Sequence, residues 1–507
     1  MQEPRMKKLL KLDLILSWIV LILFITFQLN FAFSVGVCCA DDGQHAAIAK
    51  NLANGLGYVT TLQEGVPHFE IIKFDPRIGN GPTTILPAAL LIKIFGNHFW
   101  TPGLAHVIVI ALLLVSIGFL LKKFDAGFYL FFITLLFFFI SYALMTYHFE
   151  QWYALLGEIP TVLLFLIGVL IFYWKDTRGS YLLSGLVFSL AANAKLVILI
   201  SVGVFVISAY ILDRLVWREK RFDGLQNLIR VFTPLLIGLL IPFLAYEAWK
   251  VLSLGFSGFK THWLNYISFL DKMAVPNDVD QGLRTKLQIR TEVFHERFGI
   301  AFLTIPVVLL TSGFLIRKNK RLFRVVMVII PVIVIYSVWW FVFSLGWPRY
   351  YIICLTMIIF LAVIPLLEVG RQKLYLLYLI PLLLWTSTAW GRVDFPLEKV
   401  RGSFFSATLH TQNLIEISER LTEHPGDILL TQWWGSSSDM EYLMKSSQNF
   451  TAYWDPGLSQ MTPYWLALNK KFLYEQDKTF IDFMNSCDVI LEDERYFLGE
   501  CIISREE

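Results

Sequence analysis

The chain has 507 residues, of which 56% are hydrophobic, 16% aromatic and 16% charged, with a formal net charge of +3. Soluble domains carry about 25% charged residues, so this composition excludes an ordinary soluble protein and indicates an integral membrane protein with many spans. The small net charge gives no indication of a nucleic-acid partner, and none is expected.

The first apolar run, Leu14 to Val37, follows a cluster of basic residues and is longer than the roughly 7 to 15 apolar residues of a cleavable signal peptide. It predicts a retained helix in the plasma or inner membrane with a cytoplasmic N-terminus. Residues 38–101 then form a polar first external loop rich in glycine and proline. Within this loop, Ile85 to Phe95 is apolar but shorter than the roughly 20 residues of a span, which predicts an interfacial or re-entrant helix.

Further apolar runs bring the predicted number of spans to about eleven. They are Gly103–Leu121, Phe128–Met145, Ile159–Tyr173, Tyr181–Ala194, Leu196–Leu212, Val231–Leu252, Ile300–Ile316, Val325–Phe343, Tyr351–Leu367 and Leu374–Trp390. Lysine and arginine concentrate in alternate loops, as expected of the cytoplasmic side. Because only Lys195 separates two short runs, we predict a tight hairpin there. Lys195 and Arg349 then share an extracytoplasmic face with Asp41.

Two long segments lie outside the predicted spans. We predict that residues 255–297 form a long external loop. Such a loop is either a lid or binding segment, or a solvated connection without a function of its own. Residues 391–507 have the pattern of a small extracytoplasmic α/β domain, with an amphipathic helix at Ser406–His424 and strands at Ile428–Thr431 and Asp488–Leu491. In an oxidising compartment Cys487 and Cys501 could form a disulfide.

Two adjacent carboxylates, Asp41 and Asp42, follow the first apolar run. Carboxylates at the edge of a bilayer are costly to desolvate. Either they cap the start of the next helix, or they carry out chemistry at the membrane surface. No cofactor is certain: His68 and Glu70 could help to hold a divalent cation, but the chain has no Cys/His spacing typical of a metal centre.

The sequence after this pair resembles a known superfamily. Residues 47–55 read Ala-Ile-Ala-Lys-Asn-Leu-Ala-Asn-Gly, and Gly-Pro-Thr-Thr at 81–84 leads into Leu-Pro-Ala-Ala-Leu-Leu at 86–91. This order resembles the GT-C glycosyltransferases that use polyprenyl-phosphate sugars, among them the protein O-mannosyltransferases, the aminoarabinose transferases and the lipopolysaccharide-core transferases. The similarity is most specific over residues 37–105. It implies an α-helical polytopic GT-C-like transmembrane domain over residues 1–390.

The resemblance also implies roles for individual residues. It implies that Asp41 is the general base, with Asp42 as its neighbour and Glu158 as a second acidic residue. It further implies that Arg349 and Tyr350 lie on the lipid-phosphate side of the site. The lysine that aminoarabinose transferases carry in the first loop has no clear counterpart here, and the plausible substitutes are Lys73 and Arg77.

Glycosyl transfer from a lipid phosphate is compatible with these residue types. A carboxylate such as Asp41 can accept the proton of the acceptor hydroxyl, while Arg349, with Tyr350 and Lys195 beside it, can stabilise the departing phosphate. The expected donor is a polyprenyl-phosphate monosaccharide, the expected acceptor is a glycolipid, a polysaccharide or a protein, and inversion at the anomeric carbon is implied by the resemblance.

Purely structural roles for these residues also remain as alternatives. Arg349 could simply extend to the membrane interface at a helix end, and Lys195 could cap the C-terminus of a helix. Glu158 could interact with the N–H groups at the start of a neighbouring helix.

Two other functional classes also remain as alternatives. One is a lipid or glycan transporter or flippase without transferase activity. Against it, the sequence has no pair of corresponding broken helices in two halves, and the charged residues cluster on one face. The other is a non-catalytic subunit, which should tolerate the loss of a single carboxylate.

Overall fold

The computed structural model describes residues 3–37, 40–60, 71–76, 78–124, 154–217, 224–274, 283–298, 312–313, 316–317, 319–344, 348–364, 407, 409–423, 428–431, 442–444, 450–453, 464–470, 484–485, 487–492 and 496–501. Within these residues the chain is mostly helical. The predicted spans Phe128–Met145 and Leu374–Trp390, and most of Ile300–Ile316, lie outside them.

The helices follow the apolar runs closely. Their bounds are α1 Glu3–Ser34, α2 Ala40–Ala53, α3 Pro82–Phe95, α4 Thr101–Lys123, α5 Glu158–Trp174, α6 Arg178–Ala194, α7 Ile198–Ile211, α8 Gly224–Ala274, α9 Leu283–Phe298, α10 Lys320–Val342, α11 Pro348–Val363 and α12 Leu409–Thr422. A short π-helical turn, Leu212–Val216, extends α7. The chain breaks between α6 and α7 around Lys195, so the two runs are separate helices, as predicted.

Among the described residues, four helices contain segments long and apolar enough to cross a membrane. These segments are Ser17–Ser34, Thr101–Lys123, Gly224–Phe269 and Lys320–Val342. They support the prediction of an integral membrane protein. Helix α3 has 14 residues and is too short to span a bilayer, in agreement with its prediction as an interfacial or re-entrant piece.

The segment 255–297 differs from its prediction as a loop. Helix α8 continues through it to Ala274, with one kink at Gly255, and α9 covers Leu283–Phe298. Gly255 has φ 68° and ψ 169°, a non-helical conformation with positive φ that glycine adopts readily, so two helical arms of α8 meet there at a kink. The sequence reads as a loop because its apolar residues are too sparse for a span, yet no proline interrupts 256–274.

Helix α5 lies at the centre of the bundle. Every residue from Glu158 to Tyr173 is buried, and the helix packs against α4, α6, α10 and α11. A helix that is apolar on all sides belongs in the interior of a larger assembly, which explains why its run has no polar face. Its first residue, Glu158, is therefore a carboxylate held inside the protein at one end of the bundle.

A second, smaller core lies between α2 and α3. Ala46, Ile48 and Ala49 of α2 pack against Ile85 and Ala88 of α3. Small alanine side chains let the two helices approach closely, and the pair forms a platform beside α4. The two-residue strands β1 (Val59–Thr60) and β2 (Ile72–Lys73) form a short antiparallel ribbon next to it.

The C-terminal part contains a mixed sheet of five strands in the order β4-β3-β5-β7-β6. The strands are β3 Ile428–Thr431, β4 Phe450–Tyr453, β5 Tyr464–Asn469, β6 Cys487–Glu492 and β7 Tyr496–Cys501. Strand β3 runs parallel to β4 and β5, whereas β7 is antiparallel to β5 and β6. Cys487 and Cys501 are joined by a disulfide across β6 and β7.

The amphipathic helix α12 covers one face of this sheet. Leu414, Ile417 and Leu421 of α12 pack with Trp465 of β5 and Tyr496 of β7. Their spacing of three and four residues puts these apolar side chains on one face, which is the pattern that predicted the helix. Residues 409–501 with this core are called the C-terminal unit below.

Candidate active site

Asp41 and Arg349 form an ion pair at the junction of α2 and α11. Asp41 lies in the first turn of α2, where the partial positive charge of the helix start favours a carboxylate, and Arg349 is in the first turn of α11. About a quarter of each side chain is exposed, at 29% and 22% respectively. The carboxylate and the guanidinium are therefore neighbours that a substrate can still reach.

A second, deeper ion pair lies beside the first. Lys195 donates a hydrogen bond of 2.6 Å to Oε1 of Glu158, and both side chains are buried. The ring of Tyr350 is close to both cations: its centroid is 5.4 Å from Nζ of Lys195 and 5.3 Å from Cζ of Arg349. The structure thus brings together five of the predicted site residues, four charged groups with an aromatic ring between the two cations.

Asp42 lies in a different environment from Asp41. It is buried, and its Oδ1 accepts a hydrogen bond of 2.6 Å from the backbone N–H of Leu155. Successive residues of a helix point in directions about 100° apart, so one carboxylate of the pair faces the open junction while the other faces the interior. This geometry favours a structural role for Asp42, in fixing the segment before α5 against α2.

A histidine that the sequence analysis did not single out lies next to this group. Nδ1 of His45 is 3.2 Å from Nδ2 of Asn80, which also donates to the carbonyl of Leu155 at 3.2 Å. Burial lowers the pKa of His45 to about 3, and the charge of nearby Lys195 lowers it as well. The imidazole is therefore neutral at physiological pH, but so low a pKa makes it a weak proton acceptor, which disfavours it as the general base.

Among the first-loop candidates, the structure describes Lys73. Lys73 is exposed on β2. Arg77, His68 and Glu70 lie outside the described residues. Within the described part of the chain, no group of three or more His, Cys, Asp or Glu residues could hold a metal ion.

A cavity that is open to solvent adjoins the cluster. It lies between the loop 74–81, the end of α6 and the two arms of α8 on either side of the kink. Asn193 and Leu196 in its wall flank Lys195, and Tyr266 in its wall is within electrostatic range of Tyr350. The cavity therefore opens beside the cations of the candidate site.

Gly81 sets the distance between the loop and α6. A Cβ atom at this position would lie 2.1 Å from the carbonyl oxygen of Asn193, and the backbone N–H of Gly81 donates to the carbonyl of Ala194 at 3.3 Å. A residue with any side chain would separate the two backbones. Tyr58 fixes the same loop through a 2.8 Å hydrogen bond to the carbonyl of Asn80.

The C-terminal unit contacts α2 through a short segment, residues 442–444. Tyr442 is fully buried and donates a hydrogen bond of 2.7 Å to the carbonyl of His98, while Nζ of Lys50 donates to the carbonyl of Met444 at 3.3 Å. Burial raises the pKa of Tyr442 well above its usual range, and the nearby carboxylate of Asp42 raises it as well. The helix that carries the Asp pair is therefore held in part by residues from the far end of the sequence.

The C-terminal unit also contacts the end of α1. The hydroxyl of Thr411 in α12 donates to the carbonyls of Ser34 and Val35 at 3.1 and 3.0 Å. Those carbonyls lie at the end of α1, where backbone acceptors have no partner within the helix. The C-terminal unit is thus attached to both segments that flank the Asp pair.

Comparison with known proteins found no matching family model and no curated relative in sequence. Among solved structures, the chain is similar to ArnT from Cupriavidus metallidurans bound to undecaprenyl phosphate, at 13% identity over 98% of both chains with a TM-score of 0.41. It is also similar to the archaeal oligosaccharyltransferase AglB from Archaeoglobus fulgidus in complex with an inhibitory peptide and a dolichol-phosphate, at 10% identity over 98% of this chain and 74% of that chain, with a TM-score of 0.49.

Each of these two neighbours was solved with a lipid phosphate bound, undecaprenyl phosphate in ArnT and a dolichol-phosphate in AglB. The apo structure of ArnT gives a similar match, at 12% identity over 95% of this chain and 97% of that chain, with a TM-score of 0.44.

Proposed function

We propose that the chain is an integral membrane glycosyltransferase that moves a monosaccharide from a polyprenyl-phosphate donor to an extracytoplasmic glycolipid, polysaccharide or protein. The observation that carries the proposal is the partly exposed Asp41–Arg349 ion pair, with Tyr350 and the Lys195–Glu158 pair beside it. A reachable carboxylate next to a group of cations supplies the two requirements of this reaction, a proton acceptor and a phosphate-binding group.

The reaction is a single displacement at the anomeric carbon. The acceptor oxygen forms a bond to this carbon and transfers its proton to the carboxylate of Asp41. The bond between the anomeric carbon and the phosphate oxygen breaks, and the lipid phosphate leaves with the electron pair. Because the acceptor enters opposite the leaving group, the anomeric configuration inverts.

Arg349 has a second task in this scheme. Its guanidinium fork matches two oxygens of a phosphate, so a donor phosphate competes with Asp41 for it. When the phosphate takes over the guanidinium, Asp41 loses its cationic partner and becomes the stronger base. Donor binding and activation of the base are then linked through one side chain.

The disulfide supports the extracytoplasmic side as the location of the site. Disulfides persist in oxidising compartments and are rare in the cytosol. Cys487 and Cys501 are bonded in the C-terminal unit, which contacts α2 through residues 442–444. The helix that carries Asp41 is then on the same side of the membrane as the disulfide.

The test measures the incorporation of labelled sugar from a panel of polyprenyl-phosphate monosaccharides into membrane acceptors. We expect Asp41→Asn to lower transfer by about 10²- to 10⁴-fold, the usual contribution of a general base, while binding of the lipid donor remains. Glu416→Gln is the matched control, because Glu416 is an exposed carboxylate of α12. Retained transfer in Asp41→Asn would place the base elsewhere. No transfer from any donor, with lipid moving between leaflets in proteoliposomes, would contradict the proposal and favour a flippase.

A further inference from the structure

The cavity beside the cation cluster has walls of aromatic rings. Tyr246 and Trp263 lie on the two arms of α8, and Tyr266 is one turn beyond Trp263, with 5.5 Å between their ring centroids. Tyr58 and Phe74 stack on each other at 5.2 Å, and both rings also contact that of Tyr246, at 6.2 and 6.1 Å. Aromatic side chains offer a rigid apolar face with little conformational freedom to lose, which suits the apolar face of a flat ring-shaped ligand.

The same cavity contains polar groups that are already organised. Nζ of Lys250 donates to Oε1 of Glu247 at 2.8 Å, and Nε1 of Trp263 donates to Oε2 at 3.1 Å. The ammonium also lies 4.4 Å from the ring centroid of Tyr246 and 5.3 Å from that of Trp263. Glu247 and Lys250 therefore neutralise each other and are held in place before any ligand arrives.

These groups retain capacity for further hydrogen bonds. A carboxylate has about four lone-pair sites and an ammonium has three donors, so the hydrogen bonds above use only part of each. Nδ1 of His262, also in the wall, is buried and has no hydrogen-bond partner among the described residues. A ligand that presents several hydroxyl groups satisfies all of them, because each hydroxyl both donates and accepts.

The charges in the wall select against an acidic ligand. In the described part of the wall, the ammonium of Lys250 is already paired with the carboxylate of Glu247. A ligand carboxylate brought into this cavity would lose its hydration without gaining an unmatched cation. The lining is thus suited to a ring with hydroxyl groups and without a negative charge.

We propose that this cavity binds the sugar of the lipid-phosphate donor and that the sugar is an uncharged monosaccharide. The inference rests on the proposed function, because the position of the cavity next to Lys195 and Tyr350 is what connects it to the donor phosphate. The sugar ring lies against Trp263 and Tyr246, and its hydroxyl groups hydrogen-bond to Glu247 and Lys250. The phosphate remains with the cations outside.

The test compares two probes in binding to the purified full-length protein: a polyprenyl-phosphate hexose and the same polyprenyl phosphate without sugar. We expect Trp263→Leu and Glu247→Gln to weaken the sugar-bearing lipid at least tenfold and to leave the sugar-free lipid unchanged. Trp263→Phe keeps the ring but removes the N–H donor to Glu247, so a smaller loss is expected. Trp217→Leu is the control, since Trp217 lies at the end of the π-helical turn and contacts Arg324.

A third probe tests the selection by charge. The polyprenyl-phosphate uronic acid with the same ring configuration should bind at least tenfold more weakly than the hexose, and Glu247→Gln should reduce that difference. Equal binding of the hexose and the uronic acid would overturn the inference. So would equal weakening of both the sugar-bearing and the sugar-free lipid in Trp263→Leu, because the cavity would then hold lipid or phosphate.

These outcomes are separable from the failure of the proposed function. If labelled transfer by the wild type is lost in Asp41→Asn while the cavity variants bind all probes normally, the enzyme proposal stands and the sugar site is elsewhere. If the cavity variants discriminate the probes but no transfer occurs from any donor, the binding site stands and the transferase proposal is wrong.

Discussion

The candidate site contains two carboxylate–cation pairs, and burial gives them different properties. The Asp41–Arg349 pair is open enough to exchange partners with a substrate. The Glu158–Lys195 pair is enclosed, with side-chain exposures of 0% and 10%. In the buried pair each charge depends on the other, because an isolated buried charge costs several kcal/mol. The first pair therefore suits chemistry, and the second suits the support of a fixed positive group near the phosphate.

This difference predicts the effect of removing Lys195. Lys195→Met leaves the buried carboxylate of Glu158 without its cation, and we expect the free energy of unfolding to fall by about 3 to 5 kcal/mol. The double variant Glu158→Gln with Lys195→Met should recover part of this loss. Thermal unfolding in detergent measures both. Arg420→Met removes an exposed ion pair with Glu416 and should cost less than about 1 kcal/mol. A similarly small cost for Lys195→Met would contradict the buried pairing.

His45 predicts a dependence of stability on pH. Its pKa is lowered to about 3 in the folded chain, whereas an unfolded histidine titrates near about 6.5. Below pH ~6.5 the unfolded state binds a proton that the folded state does not, so stability is fully present above this pH and falls as the pH drops toward 3, by up to ~1.4 kcal/mol per pH unit.

The measurement is the melting temperature of wild type and His45→Gln between pH 7 and 5. The melting temperature of the wild type should fall more steeply than that of the variant. His98→Gln, which changes an exposed histidine, should keep the steep dependence of the wild type. Parallel curves for wild type and His45→Gln would show that His45 is not the group responsible.

At the scale of elements, the loop 74–81 and the end of α6 are in close backbone contact. The loop supplies part of the cavity wall and carries Asn80, which contacts His45. The backbone of Gly81 lies directly against the backbone of Asn193. The position of the cavity relative to the cations therefore depends on a contact that has no room for a side chain.

We expect Gly81→Ala to separate the loop from α6 and to lower the free energy of unfolding by about 1 to 3 kcal/mol, the usual cost of an overpacked contact. Sugar transfer should fall as well, because the cavity wall moves. Gly79→Ala is a matched control two residues away, since a Cβ atom there meets nothing within 4 Å. Thermal unfolding and the transfer assay compare the two variants, and equal behaviour would contradict the close contact.

The sequence predicted the elements better than it predicted their contacts. Apolar runs located α4, α5 and α10 to within a few residues at each end, because burial in a bundle or bilayer demands a continuous apolar segment. The helices in 255–297 were missed, because a helix with a polar face has no such run. Strands β5 and β7 were missed as well, since short strands give weak signals.

The candidate site was predicted in part. The shared face of Asp41, Arg349 and Lys195 followed from the count of spans and the distribution of basic residues. The inward direction of Asp42 did not follow, since neighbouring residues in a sequence carry no sign of which one is exposed. Tyr442 could not be predicted either, because its contact with His98 joins positions 344 residues apart.

At the scale of the whole molecule, the C-terminal unit and the helix bundle meet around α2. Tyr442 fills the second core, which also contains residues of α2 and α3, and its hydroxyl meets the carbonyl of His98. The unit therefore stabilises the helix that carries Asp41. We expect that its contribution to the candidate site is to hold α2 in place.

Tyr442→Phe removes one buried hydrogen bond and should lower the free energy of unfolding by about 1 kcal/mol, whereas Tyr442→Ala should cost about 3 to 5 kcal/mol through the cavity it leaves. Amide hydrogen exchange over residues 40–53 measures the support directly and should accelerate in Tyr442→Ala. Tyr496→Phe, a change inside the core of the C-terminal unit, serves as the control and should leave this exchange unchanged. Unchanged exchange in Tyr442→Ala would contradict the supporting role.

The hydrogen bond between Lys50 and Met444 joins positions 394 residues apart. A ribosome that adds about 5 to 20 residues per second needs roughly 20 to 80 s to cover this distance. Throughout that time the nascent chain already contains Asp41, yet α2 lacks the segment that later fixes it. A product that ends before residue 442 would keep both ion pairs in its sequence and would still lack this support. We therefore expect an incomplete chain to lack the contact that fixes α2 in the complete one.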